Sequence, residues 1–450
     1  MRTSESPGGG SDVDTIVAAA TPTGRGGVSI LRLSGSLAGD ICRRLTGRLP
    51  SPREARLCRF LDSDQQELDR GLTLYFPAPS SFTGEDVVEL HCHGSPVVVE
   101  LMTRRCVSLG ARIARPGEFS ERAFLNDRMD LAQAEAVADL IEASTEAAAK
   151  SAVNSLRGEF SRRIESLVTQ VTNLRIYVEA AIDFPDEEVD FLSDDSVKQR
   201  IQEIDLEFSG IESASRRGKI LREGYRVVLA GMPNAGKSSL LNRLSREDRA
   251  IVSDIPGTTR DTVEQLIDLD GLPVLLTDTA GIRESCDTVE EEGVRRARSA
   301  IDEADLIVHV IDGSNPQMNL LPEFGSRRAI SVVNKIDLDK SLALSDESEY
   351  IGVSALTGEG LECLIGAIKR CADFHHGDTS YVISRQRHVQ AIEKAREHFN
   401  EGVEQLSEWQ AGELFAEELS ACQSCLGEIT GQITSDDLLG LIFGSFCIGK

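Results

Sequence analysis

The sequence predicts a multidomain protein of mixed class. An N-terminal α/β unit is followed by an all-α part, into which a second α/β unit with a mostly parallel sheet is inserted. Three observations predict this. Short apolar runs with strand character recur within residues 13–123 and again within 222–376. The stretches 124–221 and 377–450 are helical in texture, with apolar residues at three- and four-residue steps. One glycine-rich loop, Gly231 to Ser238, lies between an apolar run and a helical one.

Residues 1–12 are polar and rich in Ser and Gly, and read as a flexible tail without a secretory signal. Asp14 to Ala20, Val28 to Leu33, Leu72 to Phe76 and Val87 to His93 read as strands, and Pro96 to Leu109 as a helix. The turn Gly24-Arg25-Gly26-Gly27 could hold an anion or simply reverse the chain. His91 and His93 share a strand face and read as packed or surface side chains. In the helical part, Val137, Leu140 and Ile141 form one apolar stripe. Phe160, Ile164, Leu167, Val168, Val171, Leu174 and Val178 form a longer one. The acidic run 183–195 contains Pro185 and ends that helix, and another spans about 197–217. In the second α/β unit, Val227–Ala230, Val274–Thr277, Leu306–Ile311, Ile330–Val333 and Tyr350–Val353 alternate with helical segments. His388 to Leu406 and Glu413 to Leu426 are helical, and Thr434 to Asp437 opens a last helix over Leu438 to Phe443.

Composition narrows the function. No apolar run reaches the ~18 residues of a membrane helix. A net charge of −26 opposes nucleic-acid binding over the whole surface. Arg216, Arg217, Lys219 and Arg222 are a candidate local RNA patch, or equally a solvated linker. Ten cysteines without a repeating framework fit reduced thiols and a cytoplasmic protein. Cys422 and Cys425 read as one face of a helix.

The chemistry is in the inserted unit. Gly231-Met232-Pro233-Asn234-Ala235-Gly236-Lys237-Ser238-Ser239 is a P-loop, whose backbone N–H groups and helix start cradle phosphates. Lys237 would reach the β- and γ-phosphates, and Ser238 would ligate Mg²⁺. Asp278-Thr279-Ala280-Gly281 would hold the Mg²⁺ shell through Asp278 and sense γ-phosphate through the Gly281 N–H. Gly257-Thr258-Thr259 supplies a switch threonine. Asn334-Lys335-Ile336-Asp337 offers a carboxylate for two guanine N–H groups, and Ser354-Ala355-Leu356 places backbone N–H groups near guanine O6. Together they specify a Ras-like P-loop G domain that binds GTP. Many GTPases carry a glutamine after the D-T-A-G run, but here Ile282 follows. The Asn234 carbonyl could hold a monovalent cation near the phosphates in place of an arginine finger. On spacing alone Glu290 is a solvated carboxylate at a helix start, or a group that orients water.

These motifs and both flanks closely resemble the MnmE (TrmE) family of tRNA-modification GTPases. The matching runs are Asp14 to Ala18, Gly24 to Val28, Arg115-Pro116-Gly117-Glu118-Phe119-Ser120, the G motifs, and Cys447-Ile448-Gly449-Lys450. The resemblance implies five segments: the tail 1–12, an N-terminal folate-binding and dimerisation domain 13–123, helical segments 124–221 and 377–450, and the G domain 222–376. It implies a homodimer that joins the flavoprotein MnmG in a heterotetramer, acts on tRNA, and does not enter a membrane. The pair would add a carboxymethylaminomethyl or aminomethyl group at C5 of wobble uridine. The one-carbon donor would be a tetrahydrofolate derivative, 5-formyl- or methylene-. K⁺ would be held by Asn234, Ser253, Ile255 and Thr258, and Mg²⁺ by Ser238 and Thr259, with Asp254 and Pro256 in the same nucleotide loop. Glu290 becomes the catalytic carboxylate. Arg32, Glu89, Arg128 and Lys450 become folate contacts, and Cys447 a pocket residue. Arg128 stands where lysine is common, and Pro256 where a small residue is usual. The rival readings are a ribosome-assembly GTPase switch, which would usually carry a basic RNA-binding module, and a folate-binding protein with a regulatory G domain.

Overall fold

The computed structural model describes residues 14–183, 195–246, 264–278, 298–314, 328–338, 350–374, 382, 384–432 and 436–449. The chain forms two compact units, Met1–Ala138 with Gly427–Lys450, and Asp139–Leu426. Among the described residues no helix is long and apolar enough to cross a membrane.

The first unit is built on a six-stranded sheet. Its strands are β1 (Ile16–Ala19), β2 (Gly26–Ser34), β3 (Arg56–Leu61), β4 (Glu67–Phe76), β5 (Val87–Gly94) and β6 (Arg112–Ile113), in the order β3-β4-β5-β2-β1-β6. All neighbours are antiparallel except β1 and β6. Leu31, Leu33, Val88 and Leu90 alternate with polar residues and pack with Ile41 of α1 (Ala38–Thr46) and Met102 of α2 (Pro96–Ser108). Under the other face lies a smaller cluster, Ile16, Ala18, Ala114 and Phe119 with Phe82, where Phe119 comes from α3 (Glu118–Leu125). Strand β3 was not expected from sequence. Outward Arg59 interrupts the apolar run, but Cys58 and Phe60 point inward at period two.

Helix α4 (Leu131–Glu142) corrects one expectation. Its buried face is not Val137, Leu140 and Ile141; Ile141 is 58 % exposed. Leu131, Ala134 and Ala138 face inward instead, against Phe443 and Phe446. Small side chains let the helix approach those rings.

A charged network fixes α3. Arg122, 8 % exposed, donates to both oxygens of Glu85, to the Asp14 carbonyl and carboxylate, and to Glu118. Glu118 also accepts from Arg112 and from the Arg115 N–H. Burial pushes the Glu118 carboxyl up, but these donors together hold it below its ordinary 4.5. A depressed carboxyl stabilises the fold above its unfolded value and stops doing so as pH falls through its folded value. Stability against urea is therefore expected to fall below roughly pH 4.5 in the parent. Glu118→Gln should flatten that acid limb; an acid limb of unchanged slope would contradict this.

The second unit pairs long helices with a second six-stranded sheet. Helices α5 (Glu146–Leu156), α6 (Glu159–Asp183) and α7 (Asp195–Glu223) precede β7 (Tyr225–Ala230) and α8 (Lys237–Arg246). The remaining strands are β8 (Glu264–Leu269), β9 (Leu272–Asp278), β10 (Leu306–Asp312), β11 (Ala329–Asn334) and β12 (Tyr350–Gly352), followed by α9 (Leu361–Cys371). The order is β12-β11-β10-β7-β9-β8, parallel throughout except β8. The near-continuous apolar burial of β7 and β10 fits strands covered on both faces. Helices α10 (Gln386–Trp409), α11 (Gly412–Thr430) and α12 (Asp436–Gly444) complete the chain, α12 belonging to the first unit.

The α6 stripe is buried through Phe160, Ile164, Leu167, Val171, Leu174 and Val178. The basic run of α7 is neither a linker nor a free patch. Arg216 pairs with Glu393, Arg217 with Asp373, Lys219 with Glu223, and Arg222 with Asp139. Asp139 is buried and also accepts from Arg385, so one carboxylate fixes the end of α7 just before β7.

Candidate nucleotide site and a second site on the N-terminal unit

Three loops meet at the carboxyl ends of the parallel strands, where open α/β sheets bind ligands. Strand β7 leads into the P-loop. Gly231 has φ +146, and a Cβ there would lie 2.3 Å from the Val310 carbonyl of β10. Gly236 has φ +92, and a Cβ there would lie 2.2 Å from Asn334 Nδ2. Asn234 adopts φ 64, in the left-handed region open to asparagine, and its side chain is exposed. Lys237, buried at the start of α8, donates from Nζ to the Gly231 and Met232 carbonyls, each at 3.0 Å. Ala235 is buried, and Ser239 is exposed.

Ser238 Oγ donates to Asp278 Oδ2 at 2.5 Å. Register explains this contact: Asp278 ends β9 opposite Leu229 of β7. Two hard oxygen donors are thereby joined at the mouth of the P-loop, the donor set that suits Mg²⁺.

Asn334 ties the site together. Its Nδ2 donates to the Ala235 carbonyl at 2.9 Å, and its Oδ1 accepts from the Ala355 N–H at 3.1 Å. One buried side chain thus joins the P-loop to both base-side loops. Asp337 Oδ1 accepts from Ser354 Oγ at 2.6 Å, so the carboxylate is oriented by a fully buried hydroxyl. Ile336 packs inward, while Leu356 is exposed.

Asp312 was not foreseen as part of this site. It ends β10 and accepts Lys335 Nζ at 2.6 Å. Its signal in sequence is the run Asp312-Gly313-Ser314 after an apolar strand, a turn signature only. Ser253, Asp254, Ile255, Pro256, Gly257, Thr258, Thr259, Thr279, Ala280, Gly281, Ile282 and Glu290 lie outside the described residues.

The second site is on the first unit. Arg32 of β2 and Glu89 of β5 are register partners. Arg32 Nε and Nη2 both donate to Glu89 Oε1, at 3.1 and 3.0 Å. The guanidinium lies 5.2 Å from the Phe82 ring centre and 5.8 Å from that of Phe119, within cation–π range of both. His91 Nε2 lies 3.4 Å from Glu89 Oε2. His93 faces Asp69 instead, at 2.7 Å. Arg128 is exposed, with its stem beside Gly84 of the loop after Phe82. The chain end reaches the same sheet. Ile448 bridges Pro116, the Gly117 N–H donates to the Cys447 carbonyl at 3.4 Å, and a Cβ at Gly449 would sit 2.0 Å from the Ala19 carbonyl of β1. Cys447 is exposed, and Lys450 lies outside the described residues. Phe82 was missed because no spacing marks it; His91 was read only as a packed or surface histidine, and Phe119 lay within a run already singled out.

Two family models match the chain. A family model described as the MnmE helical domain matches residues 131–447. Another, described as the GTP-binding protein TrmE N-terminus, matches residues 15–128. Among solved structures, the G domain of the T. maritima FeoB iron transporter is 30 % identical, covering 33 % of this chain and 98 % of that one, with a TM-score of 0.24. The cytosolic domain of the same transporter in a GDP form is 23 % identical over 48 % of this chain and 91 % of that one, TM-score 0.26. A GTP-binding protein from the archaeon Sulfolobus solfataricus, in complex with GDP, is 18 % identical over 46 % and 67 %, TM-score 0.23.

Proposed function

This chain belongs to the MnmE (TrmE) family of tRNA-modification GTPases, and from that premise we propose that its GTP hydrolysis drives C5 modification of wobble uridine. The observation that carries this reading is the docking of Cys447 to Gly449 on the sheet that holds Arg32 and Glu89. A G domain by itself has no use for such a site. The flat cation beside two aromatic rings suits a planar heterocycle, and Glu89 can accept its N–H groups. That fits the pterin ring of a tetrahydrofolate, with Arg128 and Lys450 toward its carboxylates; the folate, when bound, supplies the one-carbon unit. The flavoprotein MnmG would complete the modification in a heterotetramer with a homodimer of this chain, acting on tRNA in the cytoplasm. The division of labour follows the segments 13–123 for folate and 222–376 for GTP, with 124–221 and 377–450 as the helical part.

Hydrolysis is phosphoryl transfer to water, achieved by positioning and electrostatics. The P-loop N–H groups and Lys237 hold the phosphates. Asn334 holds the P-loop and the base loops in one arrangement, and Asp337 reads the base. Ser238 and Thr259 would hold Mg²⁺, which neutralises phosphate charge when bound. Asn234, with Ser253, Ile255 and Thr258, would hold K⁺, which adds positive charge beside the phosphates. The Asn234 carboxamide is exposed and offers a carbonyl oxygen to that ion. Glu290 orients the attacking water, a task Ile282 cannot perform.

The test is nucleoside analysis of tRNA from a strain lacking this chain. Loss of the C5 wobble modification, restored by the parent gene, is expected. An unchanged modification profile would contradict the proposal.

A further inference from the structure

The geometry points to Asp312 as a positioning residue: its carboxylate tethers the Lys335 head, so that the lysine stem becomes a fixed wall of the guanine pocket. This rests on the GTP reading of the site.

Both oxygens of Asp312 are engaged. Oδ1 accepts from the Ser314 N–H at 2.9 Å and from Ser314 Oγ at 2.6 Å. Oδ2 accepts from Lys335 Nζ at 2.6 Å. The carboxylate cannot swing without breaking one set or the other. Burial pushes its pKa up, but Lys335 and Ser314 hold it below 3.8, so it is ionised at neutral pH.

Lys335 has few alternatives. Its backbone is left-handed, with φ 68. It follows Asn334, which grips the P-loop, and precedes Asp337, which reads the base, by two residues. Asp312 and Asn334 are register partners across β10 and β11, which sets the carboxylate beside the start of this loop. The Gly313 N–H donates to the Asn334 carbonyl at 2.9 Å and closes the contact. A free lysine tail is mobile, and ordering it on ligand binding costs conformational entropy. Here the tail is ordered beforehand. Its ammonium is engaged with a carboxylate rather than left for phosphate, while its four methylenes offer apolar surface. The role is therefore toward the base and indifferent to the number of phosphates.

The experiment uses the full chain with Asp312→Asn, Lys335→Ala and the double variant. Affinities for GTP and GDP are measured by displacement of a fluorescent guanine nucleotide, alongside KM and kcat. Asp312→Asn is expected to weaken GTP and GDP alike, about three- to tenfold, raising KM with kcat unchanged. In the double variant, Asp312→Asn should add nothing to Lys335→Ala, because the two act as one unit. Thermal unfolding of Asp312→Asn should match the parent. Unchanged affinity in Asp312→Asn, losses that multiply in the double variant, or a fall in kcat at constant KM would each overturn the proposal. If the parent binds neither nucleotide, the GTP reading falls, and this inference with it.

Discussion

Asp337→Asn is expected to turn a protein that prefers GTP into one that prefers XTP. On the proposed reading, the carboxylate at 337 accepts two adjacent donors of the base, the ring N–H and the exocyclic amine of guanine. Its orientation is fixed by the Ser354 hydroxyl at Oδ1. An asparagine can keep that bond by accepting from Ser354 with its carbonyl. Its amide then points a donor at the base, where guanine also presents a donor. Two facing donors leave a buried polar group unpaired, at about 1–3 kcal/mol. Xanthine carries an oxygen in place of that amine and accepts the bond. A site built on hydrogen bonds discriminates steeply, so the GTP-to-XTP preference should move by roughly 10²-fold or more. Competition of GTP and XTP for a fluorescent nucleotide reads this directly. Retained guanine preference would remove Asp337 from base reading.

Gly236→Ala should nearly abolish nucleotide binding. At φ +92 an L side chain is strained, which costs on the order of 1–2 kcal/mol. The new methyl would also sit 2.2 Å from Asn334 Nδ2, so Asn334 must move. Moving it breaks its bonds to Ala235 and Ala355, a further ~1–3 kcal/mol. Together these amount to about 2–5 kcal/mol, or a loss of roughly 30-fold to several thousandfold in affinity. Gly366→Ala is the control. That glycine is in α9 with negative φ, and an added Cβ meets only the far end of Arg370 at 3.5 Å. It should bind normally. Normal binding by Gly236→Ala would show that the Asn334 contact is not needed for the site.

Much of this architecture was legible in the residues, and the failures have physical causes. Strands β7 and β10 are legible because both faces are covered, so the apolar run is unbroken. Strands β3 and β8 lie at sheet edges, and charged side chains break their apolar runs, so neither was expected from sequence. In α4 the bulky residues mislead, since alanines form the buried face. The arginines of α7 look free in sequence because their carboxylates lie far off, Glu393 and Asp373 among them. The P-loop and the base-reading loop are legible because their spacing is the chemistry. The Asp312–Lys335 pair is not, since it needs the register of β10 against β11. Packing also groups Gly427–Lys450 with the N-terminal residues, through Phe443 and Phe446. Sequence texture alone joined that segment to the other helices.

The most direct test of the proposed cycle is GTP turnover in K⁺ against Na⁺ at equal ionic strength, with parent and Asn234→Ala side by side. The account predicts at least about tenfold faster turnover in K⁺ for the parent, about 1.4 kcal/mol off the barrier. It predicts no such difference for Asn234→Ala. Equal rates in the two salts for the parent would contradict it.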